Sequence, residues 1–269
     1  MQAEEYRRLG AGLIRAAAEA GRAILAHYRA PITVEVKPDD SPVTAADRAA
    51  EAIILAALAE LAPGVTVIAE EAMSAGRGSG PAQLSDPFFL VDPLDGTKEF
   101  INRRDEFTVN IALIEQARPV FGLVYAPALS RLYLTKGPGS AAVIQLDADQ
   151  AETDAPERPI EARLADPGRL TVVASRSHMN EPTRDFIARF QVDGLRNAGS
   201  SLKFCLLAEG AADLYPRLGP TMEWDTAAGH AVLAAAGGTV SEISGKPLLY
   251  GKLASGFRNP HFVAWGRRD

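Results

Sequence analysis

Three apolar runs near the middle of the chain restrict its fold more than any other feature. They are FTVNIALIE (107–115), RPVFGLVYAP (118–127) and RLYLT (131–135), and only short polar or proline-containing segments separate them. Runs of this length that are rich in β-branched and aromatic residues and joined by turns are typical of consecutive antiparallel strands. The sequence therefore predicts an antiparallel meander between residues 107 and 135.

Two helices are predicted before this meander. Residues 3–28 place leucine, isoleucine and alanine at helical spacing, and Pro31 ends the pattern. A second helix is expected from Thr44 to about Leu61, because Asp47 follows Thr44 by three residues, close to a capping box. The remaining predicted elements of this half are strands at ITVEV (32–36), VTVIA (65–69) and FFLV (88–91), and a surface connection at GRGSG (76–80).

The composition changes in the second half of the chain. Residues 146–168 are acidic, contain prolines and are weakly patterned, so we place a domain boundary at about residue 155. This gives an N-terminal α+β domain (1–155) and a C-terminal α/β domain (156–269), in which predicted strands alternate with helices. The predicted strands are 170–175, 194–199, 211–216, 238–243 and 261–266, and the predicted helices lie near 181–190, 200–209 and 225–236.

The composition and charge exclude several functional classes. The net charge is −6, and no stripe of Lys and Arg is present that would neutralise a nucleic-acid backbone. The longest apolar runs are interrupted by charges and are too short to span a bilayer. With one cysteine, Cys205, and no secretory-signal pattern, the protein is expected in the cytoplasm. The sequence leaves open whether it is peripheral to the inner membrane and whether it is a monomer or a homodimer.

The acidic residues after the predicted strand FFLV are candidate metal ligands. Asp92 and Asp95, with the carbonyl of Leu94 between them, make an oxygen-rich group of the kind that Mg²⁺ prefers. Gly96 allows a sharp turn, and Thr97 begins a segment whose N–H groups suit an anion. The alternative is a solvated Asp-Pro-x-Asp-Gly turn, because all of these are favoured turn residues.

Other acids also have two interpretations each. Glu70 and Glu71 follow VTVIA and form either part of a cation site or a solvated strand end. Asp225 is either a ligand or the N-cap of an apolar helix, and Asp47 is either a functional carboxylate or a member of a capping box. The sequence around any one of these acids fits both of its interpretations.

In combination and in order, four stretches resemble the lithium-sensitive, magnesium-dependent phosphatase superfamily, which includes inositol monophosphatases, fructose bisphosphatases and bisphosphate nucleotidases. They are SPVTAADRAAE (41–51), VIAEEA (67–72), DPLDGTKEF (92–100) and WDTAAGHAVLAAAGG (224–238). The resemblance implies a layered αβαβα sugar-phosphatase fold and a phosphomonoesterase that uses two or three Mg²⁺ ions. The implied metal ligands are Glu70, Asp92, the carbonyl of Leu94, Asp95 and Asp225, and the implied catalytic residues are Asp47, Thr97 and Glu70. Of these, Asp47 and Thr97 are expected to orient the attacking water.

Within the superfamily, DGTKEF, SRSH (175–178) and residues 199–230 resemble the bisphosphate nucleotidases more than the inositol monophosphatases. That branch implies hydrolysis of adenosine 3′,5′-bisphosphate to AMP and phosphate. The implied substrate contacts are Gly96, Thr97, Lys98, His178, Ser200, Ser201, Lys203, Arg217 and Asp225.

Each substrate contact also has an ordinary alternative. Ser200 could cap a helix, and Lys203 and Arg217 could be solvated charges. The contacts of Met222 and Glu223 stay open, because TMEWD differs from the Thr-Asn-x-Trp-Asp form of close bacterial relatives. At the level of function, the alternatives are an inositol-1-phosphate or sugar phosphatase, and an inactive phosphonucleotide-binding regulator.

Overall fold

The computed structural model describes residues 1–36, 42–75, 84–149, 156–174 and 179–268. The helices are α1 (Ala3–Arg29), α2 (Ala45–Leu61), α3 (Glu70–Ser74), α4 (Thr97–Ile101), α5 (Glu181–Ile187), α6 (Leu202–Ala208) and α7 (Ala227–Ala235). The strands of the first half are β1 (Glu35–Val36), β2 (Pro42–Val43), β3 (Thr66–Ala69), β4 (Phe88–Asp95), β5 (Thr108–Glu115), β6 (Arg118–Ala126), β7 (Arg131–Gly137) and β8 (Ser140–Gln145). Those of the second half are β9 (Glu157–Ile160), β10 (Leu170–Ala174), β11 (Val192–Asn197), β12 (Leu214–Arg217), β13 (Thr239–Glu242) and β14 (Phe262–Trp265).

The larger sheet contains seven strands in the order β3-β4-β5-β6-β7-β8-β9. All of its pairs are antiparallel except β3–β4. The predicted meander is confirmed as β5, β6 and β7. The sheet also continues through β9, beyond the boundary proposed at residue 155, and the division of the chain into two domains there stays a prediction.

The strand that carries the first acids is longer than predicted. FFLV was expected to end at Val91, but β4 continues to Asp95, with an irregular register between Asp92 and Asp95. Asp92 lies opposite Asn110, and Asp95 lies opposite Thr108 on β5. Pro93 is tolerated at this irregularity, where the regular ladder of hydrogen bonds is interrupted. The two acids therefore belong to a bulged strand and not to a turn after it.

The smaller sheet contains five strands in the order β11-β10-β12-β14-β13. Strand β10 pairs in parallel with β11 and β12, whereas β14 pairs antiparallel with β12 and β13. This arrangement confirms a mixed α/β second half. In the first half, the predicted strand 32–36 is reduced to Glu35–Val36, and the predicted connection GRGSG lies outside the described residues.

The helices and the two sheets stack in five layers. Helices α1 and α2 pack together on one face of the larger sheet and share a buried apolar cluster with it. Helices α6 and α7 lie between the two sheets, and a second cluster joins them to both. Helix α5 covers the outer face of the smaller sheet, where Phe186 joins a third cluster. The expected αβαβα layering is confirmed.

Close packing in the middle layer positions α7. A Cβ atom on Gly122 of β6 would overlap the carbonyl oxygen of Ala228, so glycine lets α7 approach the larger sheet. This approach brings the segment before α7 towards the ends of β3 and β4. Among the described helices, none is long and apolar enough to cross a membrane.

Candidate metal and phosphate site

Three acids from separate parts of the chain converge where β3 and β4 end. Glu70 is the first residue of α3, directly after β3, Asp92 lies on β4, and Asp225 lies two residues before α7. Each offers one carboxylate oxygen, and these oxygens lie within 4.8 Å of one another. Because β3 and β4 are parallel neighbours, their carboxyl ends meet at one edge of the sheet, and α7 brings Asp225 to that edge.

The electrostatics of this group indicate a cation site. Burial, followed by the negative charges of Glu70 and the other acids, raises the pKa of Asp92 well above its usual range. Burial and the charges of Asp95 and Glu70 raise the pKa of Asp225 in the same way. Burial raises the pKa of Asp95 to about 6, against the opposing effect of Lys203. Asp92 is buried and the other acids are half-buried, so carboxylates this close repel one another, and a hard divalent cation that prefers oxygen ligands fits them.

Asp95 and the main chain of Leu94 adjoin this cluster. The N–H of Leu94 donates a hydrogen bond of 3.0 Å to Asp92 Oδ1, which fixes one side of that carboxylate. The carbonyl of Leu94 lies 3.4 Å from Thr97 Oγ1. The N-cap interpretation of Asp225 is wrong, because Thr226 occupies the N-cap of α7 and Asp225 Oδ2 instead accepts a hydrogen bond of 2.8 Å from the N–H of Met222.

Asp47 and Thr97 form a hydrogen-bonded pair beside the acids. Asp47 Oδ2 accepts from the N–H of Thr44 at 2.8 Å and from its hydroxyl at 2.7 Å, which confirms the capping box of α2. Asp47 Oδ1 lies 3.3 Å from Thr97 Oγ1 and can accept its proton. The two interpretations of Asp47 are therefore compatible, since each of its oxygens has a different partner.

Gly96 shapes the turn between β4 and α4. Its φ of 91° is in the left-handed region, which glycine enters without the steric penalty of a Cβ atom. A Cβ atom there would also overlap the hydroxyl of Ser200. Helix α4 then begins at Thr97, and the N–H groups of its first turn make no hydrogen bond within the helix.

A cleft of about 250 Å³ is lined by Glu70, Asp95 and Asp225 and by three cationic residues, which are Lys98, Lys203 and Arg217. Lys203 is buried, and its Nζ donates to the carbonyls of Ser200 at 2.5 Å and Ala198 at 3.3 Å. Burial lowers the pKa of Lys203 to about 8. Its alternative as a solvated charge is therefore wrong.

Arg217 lines the same cleft at the end of β12. Its Nη2 donates to the carbonyl of Pro220 at 2.9 Å. Its Nε is buried, and within the described part of the chain no acceptor lies in reach of it. A buried donor without an acceptor is costly, so this atom is suited to an anion that enters the cleft.

The other predicted substrate contacts are placed differently. Ser200 Oγ lies 2.8 Å from the carbonyl oxygens of both Asp95 and Glu106 and can donate its proton to either, and it does not cap α6, because Ser201 is the N-cap residue. Ser201 is buried, and its hydroxyl lies 2.6 Å from Asn110 Oδ1. Lys98 is exposed and lines the cleft, and His178 lies outside the described residues.

Comparison with known proteins identifies the family of this chain. The sequence model of the inositol monophosphatase family matches residues 5–261. The chain belongs to this family. It is 46% identical over 248 residues to the 3′(2′),5′-bisphosphate nucleotidase CysQ of Escherichia coli K12, covering 91% of this chain and 95% of that protein. It is 34% identical over 254 residues to the protein of the same name from Haemophilus influenzae, covering 92% and 89%.

Solved structures of this family share the fold. CysQ from Bacteroides thetaiotaomicron matches with a TM-score of 0.77 and 39% identity, covering 97% of this chain and 98% of that one. A 2′AMP-bound structure of SaIMPase-II matches with a TM-score of 0.70 over 94% of this chain and 87% of that one. At 21% identity, the second match supports the fold alone.

Glu223 has a structural role that the sequence does not reveal. Its side chain is completely buried and accepts hydrogen bonds from the N–H groups of Gly251 at 2.7 Å and Lys252 at 2.9 Å. The ammonium group of Lys252 lies 2.7 Å from the same carboxylate. Glu223 thus fastens the segment before Asp225 to residues 251–252. No local pattern predicts these partners, because they follow far later in the chain.

Proposed function

We propose that this chain is a metal-dependent 3′(2′),5′-bisphosphate nucleotidase that hydrolyses adenosine 3′,5′-bisphosphate to AMP and phosphate. The observation that carries this proposal is the single cleft that joins the acid cluster to Lys203 and Arg217. Such a cleft would bind one phosphate at the metal-holding acids and a second phosphate at the cationic residues, and a bisphosphate carries both. The relatives named 3′(2′),5′-bisphosphate nucleotidase, which are 46% identical over most of the chain, support a bisphosphate nucleotide as the substrate.

The acids would hold Mg²⁺, the ion whose preference for oxygen ligands matches the donor set. The proposed ligands of two or three ions are Glu70, Asp92, the carbonyl of Leu94, Asp95 and Asp225. When bound, such ions lower the pKa of water and offset the negative charge of a phosphate ester.

The side chains of Thr97, Asp47 and Glu70 would orient the attacking water. Thr97 Oγ1 lies 3.3 Å from Asp47 Oδ1, so that carboxylate would accept the threonine proton and leave a lone pair of the hydroxyl available to the water. The two bonds from Thr44 hold Asp47 in place. Glu70 would contact the same water as a further base, because it belongs to the acid cluster and lies at the start of α3.

The remaining contacts would bind the substrate. The N–H groups of Gly96 and Thr97 are suited to the phosphate that is cleaved, and exposed Lys98 adds a positive charge at the edge of the cleft. Lys203 and Arg217 would bind the 5′-phosphate through charge-assisted hydrogen bonds. Three more residues are implied as substrate contacts by the sequence. We propose that Ser200 and Ser201 position the segment that carries Lys203, and that His178 contacts the nucleotide.

A substrate panel tests the proposal. Phosphate release would be measured with Mg²⁺ on adenosine 3′,5′-bisphosphate, inositol 1-phosphate and fructose 1,6-bisphosphate, with EDTA as the metal-free control. We expect the nucleotide to have the highest kcat/KM and EDTA to abolish turnover. Faster hydrolysis of either other ester would favour an inositol or sugar phosphatase. Nucleotide binding without hydrolysis of any ester would indicate the inactive regulator.

A further inference from the structure

A buried polar cluster lies behind Asp95, and none of the catalytic steps above uses it. Asn110, the third residue of β5, is 1% exposed. Its Nδ2 lies 3.4 Å from Asp95 Oδ2, and its Oδ1 lies 2.6 Å from Ser201 Oγ. Thr108 Oγ1 completes the cluster, 2.8 Å from Ser201 Oγ and 3.3 Å from Asn110 Oδ1. Burying an amide in this apolar run costs free energy unless the amide is hydrogen-bonded, so its partners determine whether the fold tolerates it.

The chemistry of the groups determines which way the amide points. An ionised carboxylate only accepts hydrogen bonds, so Asp95 requires the nitrogen of Asn110 on its side. The oxygen of Asn110 then faces the hydroxyls of Ser201 and Thr108, both of which can donate. The reversed amide would place two oxygens against each other at Asp95. The short bond from Ser201 therefore stabilises the orientation that keeps a donor on Asp95.

The same cluster connects Asp95 to the segment that carries Lys203. Ser200 can donate to the main-chain carbonyl of Asp95 at 2.8 Å, and Lys203 Nζ donates to the carbonyl of Ser200 at 2.5 Å. Ser201, the next residue, reaches the side chain of Asp95 through Asn110. The main chain and the carboxylate of Asp95 are thus both held from one short segment.

We infer that Asn110 and Ser201 are positioning residues for Asp95, with Ser201 orienting the amide of Asn110 and Asn110 holding the carboxylate towards the cation site. This inference rests on the proposed metal site. Replacing a residue that hydrogen-bonds to a metal ligand typically weakens metal binding by about 10- to 100-fold. The 3.4 Å contact is longer than the usual range, so we expect the lower end for Asn110.

The experiment measures Mg²⁺ affinity of the full chain by calorimetry, without substrate, together with the rise in Tm on adding Mg²⁺. The variants are Asn110→Ala, Ser201→Ala and the double variant. Asn110→Ala should weaken Mg²⁺ binding about tenfold, and Ser201→Ala should weaken it less. The double variant should bind no more weakly than Asn110→Ala, because Ser201 acts through Asn110.

Thr135→Val is the matched control. Thr135 is a buried hydroxyl on β7 of the same sheet, where it accepts a hydrogen bond of 3.2 Å from the N–H of Gly122. Its loss should lower the metal-free Tm and leave Mg²⁺ affinity unchanged. If Asn110→Ala does not fold, Ser201→Ala against Thr135→Val makes the same comparison, because each removes one buried hydroxyl.

Two results would overturn the inference. One is that Ser201→Ala and any folded Asn110 variant bind Mg²⁺ as tightly as wild type. The other is that Thr135→Val loses as much Mg²⁺ affinity as these variants do. Wild-type protein that binds Mg²⁺ and does not hydrolyse the nucleotide would instead refute the proposed function alone. The two failures are distinguishable because the titration contains no substrate.

Discussion

Arg217→Met should selectively slow hydrolysis of the nucleotide that carries two phosphates. The wild-type guanidinium donates to the carbonyl of Pro220, and its buried Nε has no acceptor among the residues that the structure describes. Methionine keeps much of the apolar stem and removes both the charge and this donor. The variant therefore tests whether the donor belongs to a 5′-phosphate.

The magnitude follows from a single charge-assisted contact. Such a hydrogen bond contributes about 1.5–3 kcal/mol, which corresponds to roughly 10- to 100-fold in kcat/KM. Adenosine 3′-monophosphate has no 5′-phosphate and therefore no such contact to lose. Its kcat/KM should stay almost unchanged, so the preference for the bisphosphate should shrink by nearly the whole factor.

The assay compares phosphate release from both nucleotides at saturating Mg²⁺. Arg169→Met is the matched control, because Arg169 is an exposed arginine just before β10 that pairs with Asp193 at 3.4 Å. It should alter neither rate. If Arg217→Met slowed both nucleotides by the same factor, Arg217 would not bind the 5′-phosphate. Lys203→Ala is less selective, since Lys203 Nζ also holds the carbonyls of Ser200 and Ala198.

Four further predictions concern the acids and their cations. Asp95→Asn should nearly abolish turnover in a folded protein, as judged by phosphate release and Tm, because it removes charge from the metal site; undiminished Mg²⁺-dependent activity would contradict this. Thr97→Ala should lower kcat and spare Mg²⁺ affinity in calorimetry, because only the orientation of the water is lost. Lithium should inhibit phosphate release at concentrations where sodium does not. Equal insensitivity to both salts would count against the proposed magnesium-dependent mechanism. The pKa of Asp95 is raised from 3.8 to about 6 without metal, so its contribution to stability is present below about pH 4 and lost as the pH rises through 6. The metal-free Tm of wild type relative to Asp95→Asn should therefore fall between about pH 4 and 6 and level off above that, whereas the rise in Tm on adding Mg²⁺ should grow over the same range.

Interactions within a few residues are sufficient to predict most elements of this fold. The apolar spacing of residues 3–28 predicts α1, which spans Ala3–Arg29, and the Thr44–Asp47 pair predicts the start of α2. Helical periodicity and capping act within a turn or two, so they are visible in the sequence. The meander is predicted for the same reason, because short turns join its strands.

The acids could be selected from the sequence only through their combined resemblance to a family. Alone, Asp92 also fits a solvated turn, Glu70 a strand end and Asp225 a helix cap. Their convergence within 4.8 Å depends on the parallel pairing of β3 with β4 and on the packing of α7 against the larger sheet. Neither interaction is encoded in the neighbours of any one acid.

Tertiary structure also determines how far β4 extends and which polar groups are buried. Strand β4 continues to Asp95 because Asn110 and Thr108 of β5 lie opposite its last acids. Lys203 has the sequence environment of a solvated charge, yet the layers around α6 bury it. Asn110 stands out in the sequence as an amide in an apolar run, and its partner Ser201 does not. Burial and cross-layer hydrogen bonds depend on residues that are distant in the chain, so only the packed fold specifies them.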